Sequence, residues 1–170
     1  SSSKPQAAES MISEEASPIS EPVQNWLAVV DIDHFKQVND RFGHLYGDEV
    51  LILVANILRS SFRSHDRIFR FGGEEFVVLL RNTTLSKAHK VFNRFREAVQ
   101  EYHFPQVGNV TVSLGFVGTS RGSPVEMLGQ ADQALYYAKE HGRNQVRFYE
   151  DLVASGELAT KVANDDVELF

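Results

Sequence analysis

Arg67-Ile-Phe-Arg-Phe71-Gly72-Gly73-Glu74-Glu75-Phe76-Val-Val-Leu-Leu80 carries the clearest structural signal in the chain. Two strand-like apolar runs flank a Gly-Gly pair, and both glycines can take the positive φ that a tight hairpin turn needs. A hairpin makes its two strands antiparallel neighbours, so a sheet of at least that kind is expected. Upstream, Trp26-Leu-Ala-Val-Val-Asp31-Ile-Asp33 is a nearly continuous apolar run, the pattern of a strand buried on both faces. It ends in Asp31 and Asp33, which are two residues apart and therefore on one face of that strand.

Outward from these runs the chain alternates helices with strands. Residues 35–42 read as a short helix ended by Gly43. A second helix is expected to open at Gly47-Asp48, with Asp48 as its N-cap, and to run to about Phe62 with Leu51, Val54, Leu58 and Phe62 inward. Thr84 caps a long amphipathic helix to about Tyr102, with Ala88, Val91, Phe92, Phe95 and Val99 on its core face. Residues 110–117 alternate Val, Val, Leu and Phe with Thr, Ser and Gly, which predicts a half-buried strand. Ser123-Pro124 starts a last helix that Gly142 ends, and 145–149 forms a final strand. The order strand, helix pair, hairpin, helix, strand, helix, strand defines an α+β fold. Its nearest simple description is ferredoxin-like, a mainly antiparallel central sheet flanked by helices.

Composition limits the possibilities further. The chain has 170 residues, 42% of them hydrophobic, and no cysteine, which excludes disulfides and thiolate chemistry. A domain of this size buries roughly 70% of its extended surface on folding and needs no covalent staple. No apolar run approaches the ~20 residues of a membrane helix. Neither membrane contact by this segment nor a signal peptide is expected, and a cytoplasmic location is. The net charge of −6 resides at the ends: four acids and one Lys in 1–25, five acids and one Lys in 151–170. Residues 26–150 hold fifteen bases and fourteen acids, without the strongly basic footprint of a nucleic-acid binder. We therefore expect an N-terminal linker or helical segment over 1–25, cut from a larger protein, with 6–16 helical. The folded domain follows over 26–150, then an acidic tail over 151–170.

Several residues point to chemistry. Bringing Asp31 beside Glu74 and Glu75 gathers carboxylates at one sheet end, where repulsion calls for a divalent cation or raised pKa values. The alternative is a set of solvated strand-end acids. Lys36 lies three residues past Asp33, and Lys139 and Arg143 share a face of the last helix, so three cations could clamp a triphosphate; a helix-end pair can equally complement the helix dipole. Asn39 and Asp48 could read a guanine edge, since a carboxylate accepts from its N1–H and amine. The six histidines form no close pair on a helical face, Ser113 has no nucleophile-elbow context, and glycine fingerprints of dinucleotide and P-loop sites are missing.

The segment from Asp31-Ile-Asp-His-Phe-Lys36 through Asn39 and His44 to Gly47-Asp48 resembles the first motif of the GGDEF family of diguanylate cyclases. Phe71-Gly72-Gly73-Glu74-Glu75-Phe76 resembles that family's signature in its GGEEF form, and Ser113-Leu-Gly115 and Ala131-Asp132 to Arg143-Asn144 its later motifs. The Asp-x-Leu-Thr element that usually precedes the first strand is not recognisable in 1–25. The resemblance implies a nucleotide-cyclase palm that joins two GTP into cyclic di-GMP with release of two pyrophosphates. It implies Mg²⁺, with Mn²⁺ as an alternative, on Asp31, Glu74 and the Ile32 carbonyl. Glu74, Glu75 and Lys36 would serve catalysis; His34, Phe35, Asn39, His44, Asp48, Lys139 and Arg143 would bind substrate. Arg63, Asp66 and Arg94 match an inhibitory product site of RxxD type. The resemblance further implies that two domains face each other as a homodimer, with a fused N-terminal sensor expected to control them. The alternative is a catalytically weak receptor for cyclic di-GMP, against which the intact Asp31, Lys36, Glu74 and Glu75 speak.

Overall fold

A computed structural model of the protein describes residues 21–120 and 122–158. Strand β1 (Gln24–Ile32) is followed by helices α1 (Phe35–Phe42) and α2 (His44–Ser61). The hairpin β2 (Arg67–Gly72) and β3 (Glu75–Thr83) leads into α3 (Leu85–Glu101), β4 (Val112–Gly118), α4 (Pro124–Glu140), β5 (Val146–Phe148) and α5 (Tyr149–Ala154). The sheet order is β2-β3-β1-β4-β5. All neighbours are antiparallel except β4 and β5, which run parallel. The sheet is thus mainly antiparallel, as expected, with β1 at its centre.

Alternation along β1 divides the core in two. Trp26, Ala28, Val30 and Ile32 face the layer built by α2 and α3, where Val54, Leu58, Phe92 and Phe95 are buried. Val29 faces the opposite layer and packs with Val77, Val117, Ala131 and Leu135 under α4. Asp31 follows Val29 on that second face. Trp26 Nε1 donates to the carbonyl of Thr83 at 3.0 Å, so the buried indole spends its one polar group on the neighbouring strand.

The caps of α3 and α4 form as their residues dictate. Thr84 Oγ1 accepts from Lys87 N at 3.3 Å. Ser123 and Glu126 form a capping box, with Pro124 in the first helical turn.

Several details differ from the sequence reading. Helix α2 begins at His44 with Gly43 as its N-cap, which leaves Asp48 inside the helix rather than at its cap. The cause is Gly43 itself, whose φ of 95° ends α1 and starts α2 within one residue. Strand β4 is buried on both faces, not half-buried, because α4 covers its Ser-Gly side. The contact is close: a Cβ on Gly115 would lie 2.2 Å from both Ala131 O and Leu135 N. The final strand is three residues long and passes directly into α5. Residues 24 and 25 belong to β1, and Leu152 and Leu158 pack with Ala134, so folded structure extends past both ends of 26–150. The expected helix over 6–16 and the remainder of the acidic tail lie outside the described residues.

Candidate active site

The site begins with strand register. Asp31 stands opposite Glu75 on β3 and opposite Ser113 on β4, so the two carboxylates share one sheet face at the end of β1. Glu74 sits in the turn, where its carbonyl accepts from Ile32 N at 3.3 Å. Gly72 and Gly73 take φ values of 126° and 36°, the conformational freedom this turn requires. Arg70 clamps the turn from within, its Nε and Nη2 both donating to Gly73 O at 3.2 and 2.9 Å.

Asp31 is 4% exposed, and its carboxylate pairs with Lys139 Nζ from the last turn of α4. Burial pushes the Asp31 carboxyl above its ordinary range; Lys139 opposes the rise, while Glu74 and Asp33 add to it. Glu75 is pushed up as well, first by burial and then by the charges of Asp31 and Asp132. At both groups burial is the largest cause, and repulsion from neighbouring carboxylates adds to it.

The second acid of the pair behaves differently. Asp33 Oδ1 accepts from Ser113 Oγ at 2.7 Å; its Oδ2 accepts from Thr111 Oγ1 at 2.7 Å and Asn144 N at 3.0 Å. Asp33 is therefore committed to the fold, and the carboxylates that converge are Asp31 and Glu75 with Glu74 in the adjoining turn. Among the described residues no group of three His, Asp or Glu side chains stands ready as a metal cage. The donor chemistry nevertheless suits a hard divalent ion: only oxygen ligands converge, and they are under mutual repulsion.

The remaining residues of the first motif fall into place around α1. His34 is exposed and left-handed, with φ of 57°, and caps α1. Its carbonyl accepts from Gln37 N and Val38 N, while Phe35 is buried. Lys36 points to solvent and bonds Asp40 Oδ2 at 3.2 Å, so it is not gathered with Asp31. The half-buried Asn39 lies against Gly47, where a Cβ would meet Asn39 Oδ1 at 1.8 Å. His44 and Asp48 are exposed on the first turns of α2. Asp48 opens onto a cavity of about 390 Å³ that reaches past Leu51, Ala55 and Arg59 to Arg70 and Phe76. Arg143 lies in a left-handed turn after α4, with its N–H on Ala138 O at 2.9 Å.

Arg63, Asp66 and Arg94 come together elsewhere, around a separate cavity of about 280 Å³ that Lys87 and Lys90 also line. The Asp66 side chain has no exposure; its oxygens accept from Arg63 N and Arg81 N, each at 3.0 Å. Arg63 Nη2 donates to Arg81 O at 3.0 Å. Asp66 thus holds Arg63 in position, and the cations supply the open face of the cavity. Sequence reasoning missed Lys87 and Lys90, although their spacing to Arg94 (three, four and seven residues) places all three on one helical face. It also missed Arg70, for which alternation along β2 was the available signal.

Comparison with known proteins agrees with this geometry. Residues 6–145 match the family model described as diguanylate cyclase, GGDEF domain, and the chain belongs to that family. It is 48% identical over 126 residues to diguanylate cyclase DgcP of Pseudomonas aeruginosa, covering 71% of this chain and 18% of that protein. It is 46% identical over 127 residues to the probable diguanylate cyclase DgcT of Escherichia coli, covering 69% of this chain and 28% of the relative. The chain thus spans under a third of the length of either relative. Among solved structures, the GGDEF domain of DgcB from Caulobacter crescentus, in complex with c-di-GMP, superposes with a TM-score of 0.72 at 33% identity, covering 75% of this chain and 79% of that one. The active GGEEF domain of a diguanylate cyclase from Vibrio cholerae gives 0.68 at 35% identity, with 74% and 83% covered. Among the described residues, no helix is long and apolar enough to cross a membrane.

Proposed function

We propose that this chain is the catalytic part of a diguanylate cyclase, condensing two GTP into cyclic di-GMP and two pyrophosphates. The observation that carries the reading is the register of Asp31 against Glu75 beside the Gly72-Gly73 turn. In each half-reaction the 3′-oxygen of one GTP bonds to the α-phosphorus of the other, the bond to pyrophosphate breaks, and the 3′-OH proton leaves. Asp31, Glu74 and the Ile32 carbonyl would hold Mg²⁺ or Mn²⁺, and Glu75 stands opposite Asp31 to share that charge. Such an ion, when bound, supplies Lewis-acid activation of the 3′-oxygen and stabilises the leaving pyrophosphate.

The chain's own residues do the rest. The N–H groups of His34 and Phe35 would cradle a phosphate, a reading that the left-handed backbone at His34 supports. Lys139 and Arg143 clamp the phosphate tail. Lys36, free to swing from Asp40, offsets charge that develops at the α-phosphate. Asn39 and Asp48 accept from the guanine edge, and adenine would leave those acceptors unpaired. His44, one turn ahead of Asp48 on α2, borders the base.

Each domain holds one GTP, so the bond-forming state is a two-fold homodimer, and the rate follows its population. A fused N-terminal sensor would set that population. Arg63, Arg94, Lys87 and Lys90 form a cationic cavity suited to the guanine O6/N7 edge and phosphates of the product, which would inhibit from there. The setting is the cytoplasm, where GTP is available.

Incubation with GTP and Mg²⁺ tests the reading. Cyclic di-GMP from the wild-type chain and none from Asp31→Asn is the expected result. No product, with cyclic di-GMP still bound, would make the domain a receptor instead.

A further inference from the structure

Asp33 neighbours the reacting carboxylates in sequence, yet its own carboxylate oxygens are taken up by the fold. All its side-chain bonds go to the fold: to the hydroxyls of Thr111 and Ser113 on the β4 side, and to the backbone N–H of Asn144 after α4. The Asn144 N–H is shared with Ser113 Oγ at 3.0 Å, so carboxylate and hydroxyl hold one donor between them. From the other side, Arg96 on α3 donates to Asn144 Oδ1 at 2.8 Å.

What this network holds is an unfavourable backbone. Arg143 and Asn144 are both left-handed, with φ of 62° and 48°, directly after Gly142 at 112°. Non-glycine residues remain in that region only where their surroundings over-determine it. A run of this kind also decides where the Arg143 side chain leaves the main chain.

We propose that Asp33 is a positioning residue for the triphosphate: by accepting the Asn144 N–H it locks the left-handed turn and so presents Arg143 to the β- and γ-phosphates. The inference rests on the reading of Arg143 as a phosphate ligand. Asp31 and Asp33 then divide the work at the end of β1. Asp31 takes Lys139 at the end of α4, and Asp33 takes the turn one residue past Arg143. Asp31, inside β1, and Asp33, in the turn just past its end, thus both reach the end of a single helix.

The test is a double-mutant cycle on the full chain, read by NMR titration with a non-hydrolysable GTP analogue and, separately, with GMP. Asp33→Ala is expected to weaken the analogue about tenfold, equivalent to ~1.4 kcal/mol, with GMP affinity within about twofold of wild type. Asp33→Asn should recover most of the loss, since its amide oxygen can still accept from Asn144. Asp33→Ala/Arg143→Ala should bind the analogue no worse than Arg143→Ala alone. If Asp33→Ala does not fold, Thr111→Val removes one donor from the same carboxylate oxygen and should show the same preference for losing the analogue over GMP, with a smaller loss. Equal losses for analogue and GMP, or additive losses in the double variant, would overturn the inference. Full analogue affinity in Arg143→Ala would instead overturn the reading of Arg143 on which it rests.

Discussion

Lys139, on the last turn of α4, places its ammonium on the carboxylate of Asp31 at the end of β1. One residue is expected to bind phosphate and the other metal, and here each neutralises the other across 108 residues of sequence. The pairing keeps a buried carboxylate tolerable and a flexible Lys within reach of the site. A divalent cation held by Asp31 would free Lys139 for the phosphates that accompany it.

The pairing is incomplete compensation, because the Asp31 carboxyl still lies above its ordinary range. The folded state therefore takes up this proton before the unfolded chain does. Stability from this group is present at acid pH and lost as pH rises through the raised value. Without metal, Asp31→Asn should thus be at least as heat-stable as wild type near neutral pH, with the difference shrinking on acidification. Mg²⁺ should raise the wild-type Tm and leave that of Asp31→Asn unchanged. Calorimetry in both conditions checks this; a strongly destabilised Asp31→Asn would contradict it.

Gly47 reports on base recognition. The nearest atoms to a methyl group there belong to side chains, Asn39, which must swing away, and the buried Phe35 ring at 3.3 Å, and Ala is the better helix former by about 1 kcal/mol. Gly47→Ala should therefore keep or raise stability while displacing Asn39. The expected kinetic result is a KM for GTP raised about tenfold with discrimination against ATP relaxed, measured by steady-state assays with both nucleotides.

Gly115 reports on the fold. Its added Cβ would strike the backbone of α4 at Ala131 and Leu135, which cannot move without shifting the helix. Gly115→Ala should lose roughly 3 kcal/mol in urea unfolding, the upper part of the usual range for overpacking. A loss below about 1 kcal/mol would mean that α4 sits less tightly on β4 than described.

The cationic cavity predicts inhibition by product. Arg63→Ala or Arg94→Ala should weaken cyclic di-GMP binding by about tenfold or more and relieve inhibition without lowering the initial rate. Asp66→Ala should weaken binding too, through misplacement of Arg63, and should also destabilise the chain, because Asp66 bonds two backbone N–H groups. Equal product affinity in wild type and Arg63→Ala would remove this site.

Much of this was legible in the sequence, and the gaps have physical causes. The hairpin, the buried central strand and the two capped helices follow from local pattern and turn chemistry. The full burial of β4 did not, since it depends on α4 lying across Gly115, a contact between segments that periodicity cannot join. Asp31 and Asp33 look equivalent in a buried run. What separates them is two hydroxyls, on Thr111 and Ser113, lying 78 and 80 residues further along the chain. Asp48 resembled an N-cap because the break at Gly43 also begins a helix, which local composition does not reveal. The cavity cations Lys87 and Lys90 could have been read from helical spacing beside Arg94.

The central claim is that two copies of this domain, each holding GTP, join their nucleotides through the carboxylates around the Gly72-Gly73 turn. Its most direct test is the rate of cyclic di-GMP formation from GTP and Mg²⁺ over a range of protein concentrations, with Glu74→Ala alongside. The expected rate climbs more steeply than linearly with protein and is absent in the variant. A rate strictly proportional to protein at every concentration, or full activity in Glu74→Ala, would contradict it.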